Sequence, residues 1–282
     1  MSTHSNAMPR DLRAMIANSL VVAPGVFDAF SALLVKDAGF DAVYLGGAWV
    51  TASAFGRPDV GWMALPELVE VVRRITSACE LPLIVDADSG YGGPIGIYRT
   101  VRDLAAAGAA AVHIEDIRES QPGGEFYSVA EMQARIHAAL DARIDDRPII
   151  VARTDTRAKL GLNEAIDRAC MYADAGAELL FVNWPQSEEE VKRIADTVSR
   201  PLLLQITEGG RTPQLSHVRL AELGVRLVVY PGGTLRASAA SVQRYLAAVR
   251  SEGPRPKMIT YEARRVYTNQ DFFEEWQATH SP

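Results

Sequence analysis

The 282-residue sequence is short of the features that would place it in several large classes of protein. Its two cysteines, Cys79 and Cys170, are too few for a disulfide framework and lack the paired spacing of a zinc site. There is no block or stripe of Lys and Arg, and a net charge of -6 argues against a nucleic-acid surface. No apolar run approaches the roughly 18 residues of a membrane span, so no membrane partner is expected. The first strand-like run leads into Pro24-Gly25-Val26-Phe27 and not into the Gly-x-Gly-x-x-Gly turn of a dinucleotide-binding open sheet. Two cysteines without a secretory signal fit a reducing cytoplasm.

What is present is a repeating apolar pattern. At 48% hydrophobic residues the chain can bury a large core. Residues 1–19 read as a polar N-terminal segment and a short helix carrying Leu12, Met15 and Ile16. Strand-like runs then follow at 20–23, 42–45, 83–85, 111–114, 149–152, 179–182, 202–204 and 227–229. Helical stretches separate them at 29–38, 65–77, 95–107, 129–142, 164–175, 188–197 and 215–223, with a last one at 234–250. Several of these helices stop at glycine, as in Ala107-Gly108 and Leu223-Gly224, because glycine adopts the left-handed capping conformation cheaply. Strands apolar throughout imply burial on both faces and hence a parallel sheet. Eight such units in about 250 residues predict a closed (β/α)8 TIM barrel over 20–253. Residues 254–282 form a separate helical tail with Tyr261, Tyr267, Phe272, Phe273 and Trp276, which pack either on this chain's own barrel or on a neighbouring subunit.

In such barrels the chemistry sits at the carboxyl ends of the strands. The third strand ends in Asp86-Ala87-Asp88-Ser89-Gly90-Tyr91-Gly92. Asp86 and Asp88, two apart, would project together. Like charges about 4 Å apart repel by about 4 kcal/mol at an effective dielectric of about 20. A hard divalent cation offsets that repulsion; so, in principle, do hydrogen bonds from loop amides, and the stretch alone leaves both readings open. The other strand ends add Tyr44-Leu45-Gly46-Gly47, Glu115-Asp116, Arg153-Thr154-Asp155, Asn183, Gln205, Glu208 and Tyr230-Pro231. Carboxylates around a magnesium-like ion, with one arginine to grip an acid, suit enolate chemistry on a small 2-oxo or 2-hydroxy acid. Arg153 paired with Asp155 or Glu115 is the structural alternative. His113, His137 and His217 are read as structural, away from this rim.

In order and spacing these pieces resemble the isocitrate lyase/phosphoenolpyruvate mutase superfamily, over almost the whole chain. The resemblance is carried by Pro24-Gly25-Val26-Phe27-Asp28-Ala29, Tyr44-Leu45-Gly46-Gly47, Pro58-Asp59-Val60-Gly61 and the Asp86–Gly92 stretch. Ile114-Glu115-Asp116, Ala152-Arg153-Thr154-Asp155, Thr207-Glu208-Gly209-Gly210-Arg211-Thr212-Pro213 and Tyr230-Pro231 with Arg236 complete it. It implies Mg2+ (with Mn2+ as a substitute) at Asp86, with Asp88 and Glu115 reaching the ion directly or through water. It implies Arg153, Tyr44, Gly46 and Gly47 as substrate contacts, with Asn183, Gln205 and Glu208 completing the substrate site. Asp59 matches an aspartate near the scissile bond. A homotetramer that exchanges its C-terminal helices is likewise implied.

The departures are as informative. The superfamily's lyases carry a Lys-Lys/Arg-Cys-Gly-His loop whose thiol acts as an acid; here Ile117-Arg118-Glu119-Ser120-Gln121-Pro122-Gly123-Gly124-Glu125-Phe126 has neither Cys nor His. Asn183 replaces a glutamate, Gln205 an asparagine, and Gly46 and Gly233 replace serines. Loss of a general acid costs roughly two or more orders of magnitude. The expected activity is therefore a Mg2+-dependent carbon–carbon lyase or decarboxylase acting on a small dicarboxylate, with Glu119, Glu125 or water in place of the thiol. Phosphonopyruvate hydrolysis or phosphonomutase chemistry is the rival reaction, and a dicarboxylate-binding barrel without turnover is the rival class.

Overall fold

In the computed structural model, residues 11–118 and 124–281 are described. Helix α1 (Leu12–Asn18) is followed by β1 (Val21–Val26), α2 (Ala29–Asp37), β2 (Val43–Leu45) and α3 (Gly47–Val50), which continues as a π-helical turn over Thr51–Phe55. Next come α4 (Leu65–Ala78), β3 (Leu83–Asp86), α5 (Pro94–Ala106), β4 (Ala111–Glu115), α6 (Val129–Asp141) and β5 (Ile149–Thr154). The series goes on with α7 (Arg157–Leu160), α8 (Leu162–Asp174), β6 (Leu179–Val182), α9 (Glu188–Thr197), β7 (Leu202–Gln205), α10 (His217–Glu222) and β8 (Val225–Tyr230). The eight strands close into one parallel barrel in the order β1 to β8, with β8 returning to β1. The expected TIM barrel is what the chain forms.

The longer helices around the barrel, α4, α5, α6, α8 and α9, are held by the apolar stripes their sequences provide. On α4, Leu65, Leu68, Val69, Val72 and Ile75 are buried at helical spacing, and Glu67 accepts a hydrogen bond from the Ala64 N–H at 2.7 Å to complete the first turn. Full burial of a side chain such as Leu68 contributes about 1.5–3 kcal/mol. Gly108, with φ +94, and Gly224, with φ +86, end α5 and α10 in the left-handed conformation the sequence called for. Gly25 serves closeness of approach: a Cβ built there would stand 2.0 Å from the Pro231 carbonyl oxygen.

The strands divide two apolar shells by alternation. Val43, Leu45, Leu83, Val85 and Ile150 face the helices. Ala23, Tyr44, Ile84, Val151, Phe181 and Leu203 face the barrel interior, where Leu12 and Ile16 of α1 join them and plug the amino-terminal end. The chain divides into two compact units, up to Thr234 and from Leu235. The second holds most of α11 (Gly233–Arg250), then α12 (Tyr261–Tyr267) and α13 (Gln270–His280), and none of these three helices has a buried residue. Among the described residues, no helix is long and apolar enough to cross a membrane.

Candidate active site

Continuing the inward alternation toward the carboxyl ends builds the site. Above Ile84 comes Asp86; above Ala111 come His113 and Glu115; above Val151 come Arg153 and Asp155; above Phe181 comes Asn183. In register, Asp86 pairs with His113, Glu115 with Arg153, and Arg153 with Phe181. The interior thus changes from hydrocarbon to charge within two residues.

Asp86 is fixed from two sides, its Oδ1 accepting from the Asp88 N–H at 3.1 Å and its Oδ2 from the Gly47 N–H at 3.3 Å. Asp88 lies past the end of β3 and has φ 47, so it leaves the strand geometry assumed from the i, i+2 spacing. The two carboxylates converge all the same: a Cβ built on Gly47 would stand 3.5 Å from Asp88 Oδ1 and 3.8 Å from Asp86 Oδ2. A residue without a side chain keeps that space open between them.

Arg153 makes both of the pairs that its sequence context allowed. Its Nε and Nη2 donate to Asp155 at 2.8 and 3.0 Å, Nη1 stands 3.2 Å from Glu115 Oε2, and its plane lies 5.1 Å from the Phe181 ring centre. Two of its N–H donors are thus hydrogen-bonded to Asp155, while Nη1 faces Glu115 as an ion pair. Asn183 donates to Asp155 Oδ1 at 2.5 Å, while its own Oδ1 is buried without a partner among the described residues.

The electrostatics follow from five acids, Asp59, Asp86, Asp88, Glu115 and Asp155, around one guanidinium. Burial pushes the Asp88 carboxyl up to about 7, and the charges of Asp86 and Asp59 add to this. Asp86 itself stays below the ordinary carboxylate range: burial opposes ionisation, but His113, Arg153 and two backbone N–H groups outweigh it. Burial lifts Glu115 well above its ordinary value despite Arg153 beside it, and Arg153 is held firmly cationic by Asp155 and Glu115 against the same burial. Asp59, on the loop between α3 and α4, is exposed yet shielded enough for its carboxyl to rise, first by partial burial and then by the Asp86 charge. The Tyr91 hydroxyl is turned toward Asp88 but makes no bond of normal geometry.

This donor set fits a magnesium ion in a particular way. Among the described residues, no three His, Cys, Asp or Glu side chains are grouped so as to hold an ion jointly, so Asp86, Asp88 and Glu115 do not form a closed cage. Magnesium retains several waters and needs only one or two direct carboxylates. Asp86 and Asp88, on either side of the Gly47 opening, are the residues that would supply those, and Glu115 would act through water.

Two sequence readings require correction. His113 is not remote from the site: its Nε2 stands 2.8 Å from the Tyr44 hydroxyl and 3.5 Å from Asp86 Oδ1. The signal was its position two residues before Glu115, which puts both on the inner face. Asp116, adjacent to Glu115, points the other way. It accepts from Tyr172 at 2.9 Å and from the Asp155 N–H at 3.0 Å, with Arg168 at 3.4 Å, and so braces the barrel wall behind the site. Gln205 ends β7, and Glu208 in the loop beyond it lies so near Gly233 that a Cβ there would stand 3.1 Å from Glu208 Oε1. Of the Ile117–Phe126 loop, residues 119–123, including Glu119, lie outside the described residues. Its ends are joined: Ile117 and Phe126 form an antiparallel bridge, and the Arg118 N–H donates to the Glu125 carbonyl at 2.7 Å.

Comparison with known proteins places this arrangement. The family model described as phosphoenolpyruvate phosphomutase matches residues 12–250. The chain is 40% identical to 2-methylisocitrate lyase of Salmonella typhimurium, covering 92% of this chain and 90% of that one. It is 37% identical to 2,3-dimethylmalate lyase of Eubacterium barkeri, over 86% and 87% of the two. A solved phosphonopyruvate hydrolase, in complex with oxalate and Mg++, superposes with a TM-score of 0.88 at 26% identity, covering 97% of this chain and 99% of that one. The chain belongs to the phosphoenolpyruvate mutase/isocitrate lyase superfamily.

Proposed function

We propose that the protein is a Mg2+-dependent carbon–carbon lyase acting on a small 2-oxo or 2-hydroxy dicarboxylate. The observation that carries this reading is the convergence of Asp86 and Asp88 on the opening at Gly47, with the Glu115–Arg153 pair on the two strands that follow β3 in the barrel. An ion held by Asp86 and Asp88, with Glu115 acting through water, would supply the positive charge that favours an enolate. Mn2+, with similar ligand preferences, would substitute. The protein's own groups do the rest. Arg153, bonded to Asp155 through Nε and one Nη2 N–H, would turn its remaining N–H donors to a substrate carboxylate. Tyr44 would add a hydroxyl, and Asn183, Gln205 and Glu208, at and beyond the ends of β6 and β7, are the candidates to meet the substrate's far end.

Without a thiol in the 117–126 loop, proton delivery falls to a carboxyl such as exposed Glu125 or to water. Decarboxylation of an oxaloacetate-like acid avoids that need, since carbon dioxide departs unprotonated, and it is the companion reading of the same site. The test is turnover of a panel of 2-oxo and 2-hydroxy dicarboxylates, with products followed by mass spectrometry. Turnover should require Mg2+, stop with EDTA and return with Mn2+. Phosphate released from phosphonopyruvate, with no carbon–carbon cleavage across the panel, would move the assignment to the phosphonate branch. The exposed Phe273, Trp276 and Tyr261 of the second unit support a homotetramer in which this tail covers a neighbouring copy, as molar mass in solution would report.

A further inference from the structure

His113 has no role in the chemistry proposed above, yet it is fully enclosed beneath it. Its ring is fully buried, stacked on Tyr44 with centroids 5.8 Å apart, and set edge-on to Phe181 at 5.7 Å. Two oxygens crowd one nitrogen: Nε2 is 2.8 Å from Tyr44 Oη and 3.5 Å from Asp86 Oδ1. The other nitrogen, Nδ1, is buried with no partner among the described residues.

A neutral imidazole carries one ring proton, so two arrangements compete. With the proton on Nδ1, a buried N–H lacks an acceptor and the Nε2 lone pair faces the Asp86 carboxylate. With the proton on Nε2, one N–H points toward both oxygens and the bare atom is an acceptor. A buried donor left without an acceptor is the rarer defect in proteins, and only the first arrangement sets a lone pair against a negative charge.

We propose that His113 is a positioning residue held as the Nε2–H tautomer, donating to Tyr44 Oη so that Tyr44 turns its own O–H proton toward the substrate. Tyr44 is then a hydrogen-bond donor and not a base. In the opposite tautomer Tyr44 gives its proton to His113 and turns a lone pair to the barrel mouth. Burial, reinforced by the Asp86 charge, holds the Tyr44 hydroxyl well above its ordinary pKa, so the proton stays in place. A doubly protonated ring would leave the buried Nδ1–H without an acceptor among the described residues, so the geometry itself favours the neutral ring. A donor at this position matches a carboxylate or oxo oxygen of the ligand. The ligand half of this inference rests on the function proposed above; the tautomer does not, and it is read separately.

Long-range proton–nitrogen NMR of the full-length 15N-labelled protein at neutral pH, with Mg2+, reads the tautomer directly, and loss of the signal in His113→Gln assigns it. The expected result is a protonated Nε2 and a bare Nδ1. A proton on Nδ1, or on both nitrogens, overturns the proposal. Calorimetry with oxalate and Mg2+ then reads the consequence, since oxalate offers only acceptors. His113→Phe keeps a ring to stack but has no donor, and should bind oxalate about tenfold more weakly. His113→Gln restores an N–H near Nε2 and should recover most of that loss. Unchanged binding in His113→Phe, or an equal loss in both variants, would show that the residue serves packing alone.

Discussion

Asp86→Ala should lower kcat/KM by about three orders of magnitude or more while the barrel remains folded. Asp86 is the carboxylate held ionised at the end of β3, fixed by the Gly47 and Asp88 N–H groups. The charge stabilisation that a bound ion supplies is worth several kcal/mol, and about 4 kcal/mol corresponds to roughly a thousandfold in rate. Stability should move in the other sense. Asp88 has its carboxyl raised to about 7, in part by Asp86. A carboxyl raised on folding binds its proton more tightly in the folded state. The stability it confers is therefore present at low pH and is lost as pH rises through about 7. Metal-free wild-type protein should show a melting temperature that falls between pH 4 and pH 7, and added Mg2+ should flatten the fall. In Asp86→Ala the slope should shrink even without metal. Retained metal-dependent turnover in this variant would remove the ion site from the positions assigned here.

Arg153→Met should be the most destabilising substitution in the site. It leaves Glu115 and Asp155 buried with no guanidinium between them, where bonds of 2.8, 3.0 and 3.2 Å now hold. Breaking a buried pair from one side costs about 3–5 kcal/mol, a fall in melting temperature of roughly 6–20 °C for a chain of this size. Arg153→Lys separates structure from binding. It restores a positive charge, and with it part of the stability, but not the fork that grips a carboxylate. Its KM for the best acid of the panel, or its Kd for oxalate, should rise about tenfold or more, as loss of a charge-assisted bond predicts. A lysine variant that matched wild type in affinity would confine Arg153 to a structural task.

The barrel was legible in the sequence because its strands are buried on both faces, which leaves runs such as Leu83–Val85 and Leu179–Val182 with no competing pattern. Glycine-ended helices marked the joints. The first strand extends beyond its apolar run at 20–23, since Pro24 and Gly25 look like a turn in sequence yet both lie within β1 next to β8 and β2. The short α3, its π-helical continuation and α7 escaped notice because they are single turns inside loops. In the site, Asp86, Asp88, Glu115 and Arg153 could be named from their places at strand ends. What could not be read was direction. Period-2 alternation separates Glu115 from Asp116 and joins Glu115 to His113, but only once the inner face is known. Nor does the sequence state that Asp155 and Glu115 already occupy most of Arg153, because that depends on register between neighbouring strands.

The stretch after β4 is tied at its base on both strands: Ile117 bridges Phe126, the Arg118 N–H reaches the Glu125 carbonyl, and the Tyr127 N–H reaches the Asp116 carbonyl at 2.8 Å. Arg168 fastens the Tyr127 carbonyl from behind at 2.7 Å. None of these bonds depends on which side chains stand between the two feet. Under the function proposed above, a different proton donor could be installed in this segment while these backbone anchors stay as they are. Divergence of chemistry within one barrel would then need a substitution of a few adjacent codons, and not a new fold.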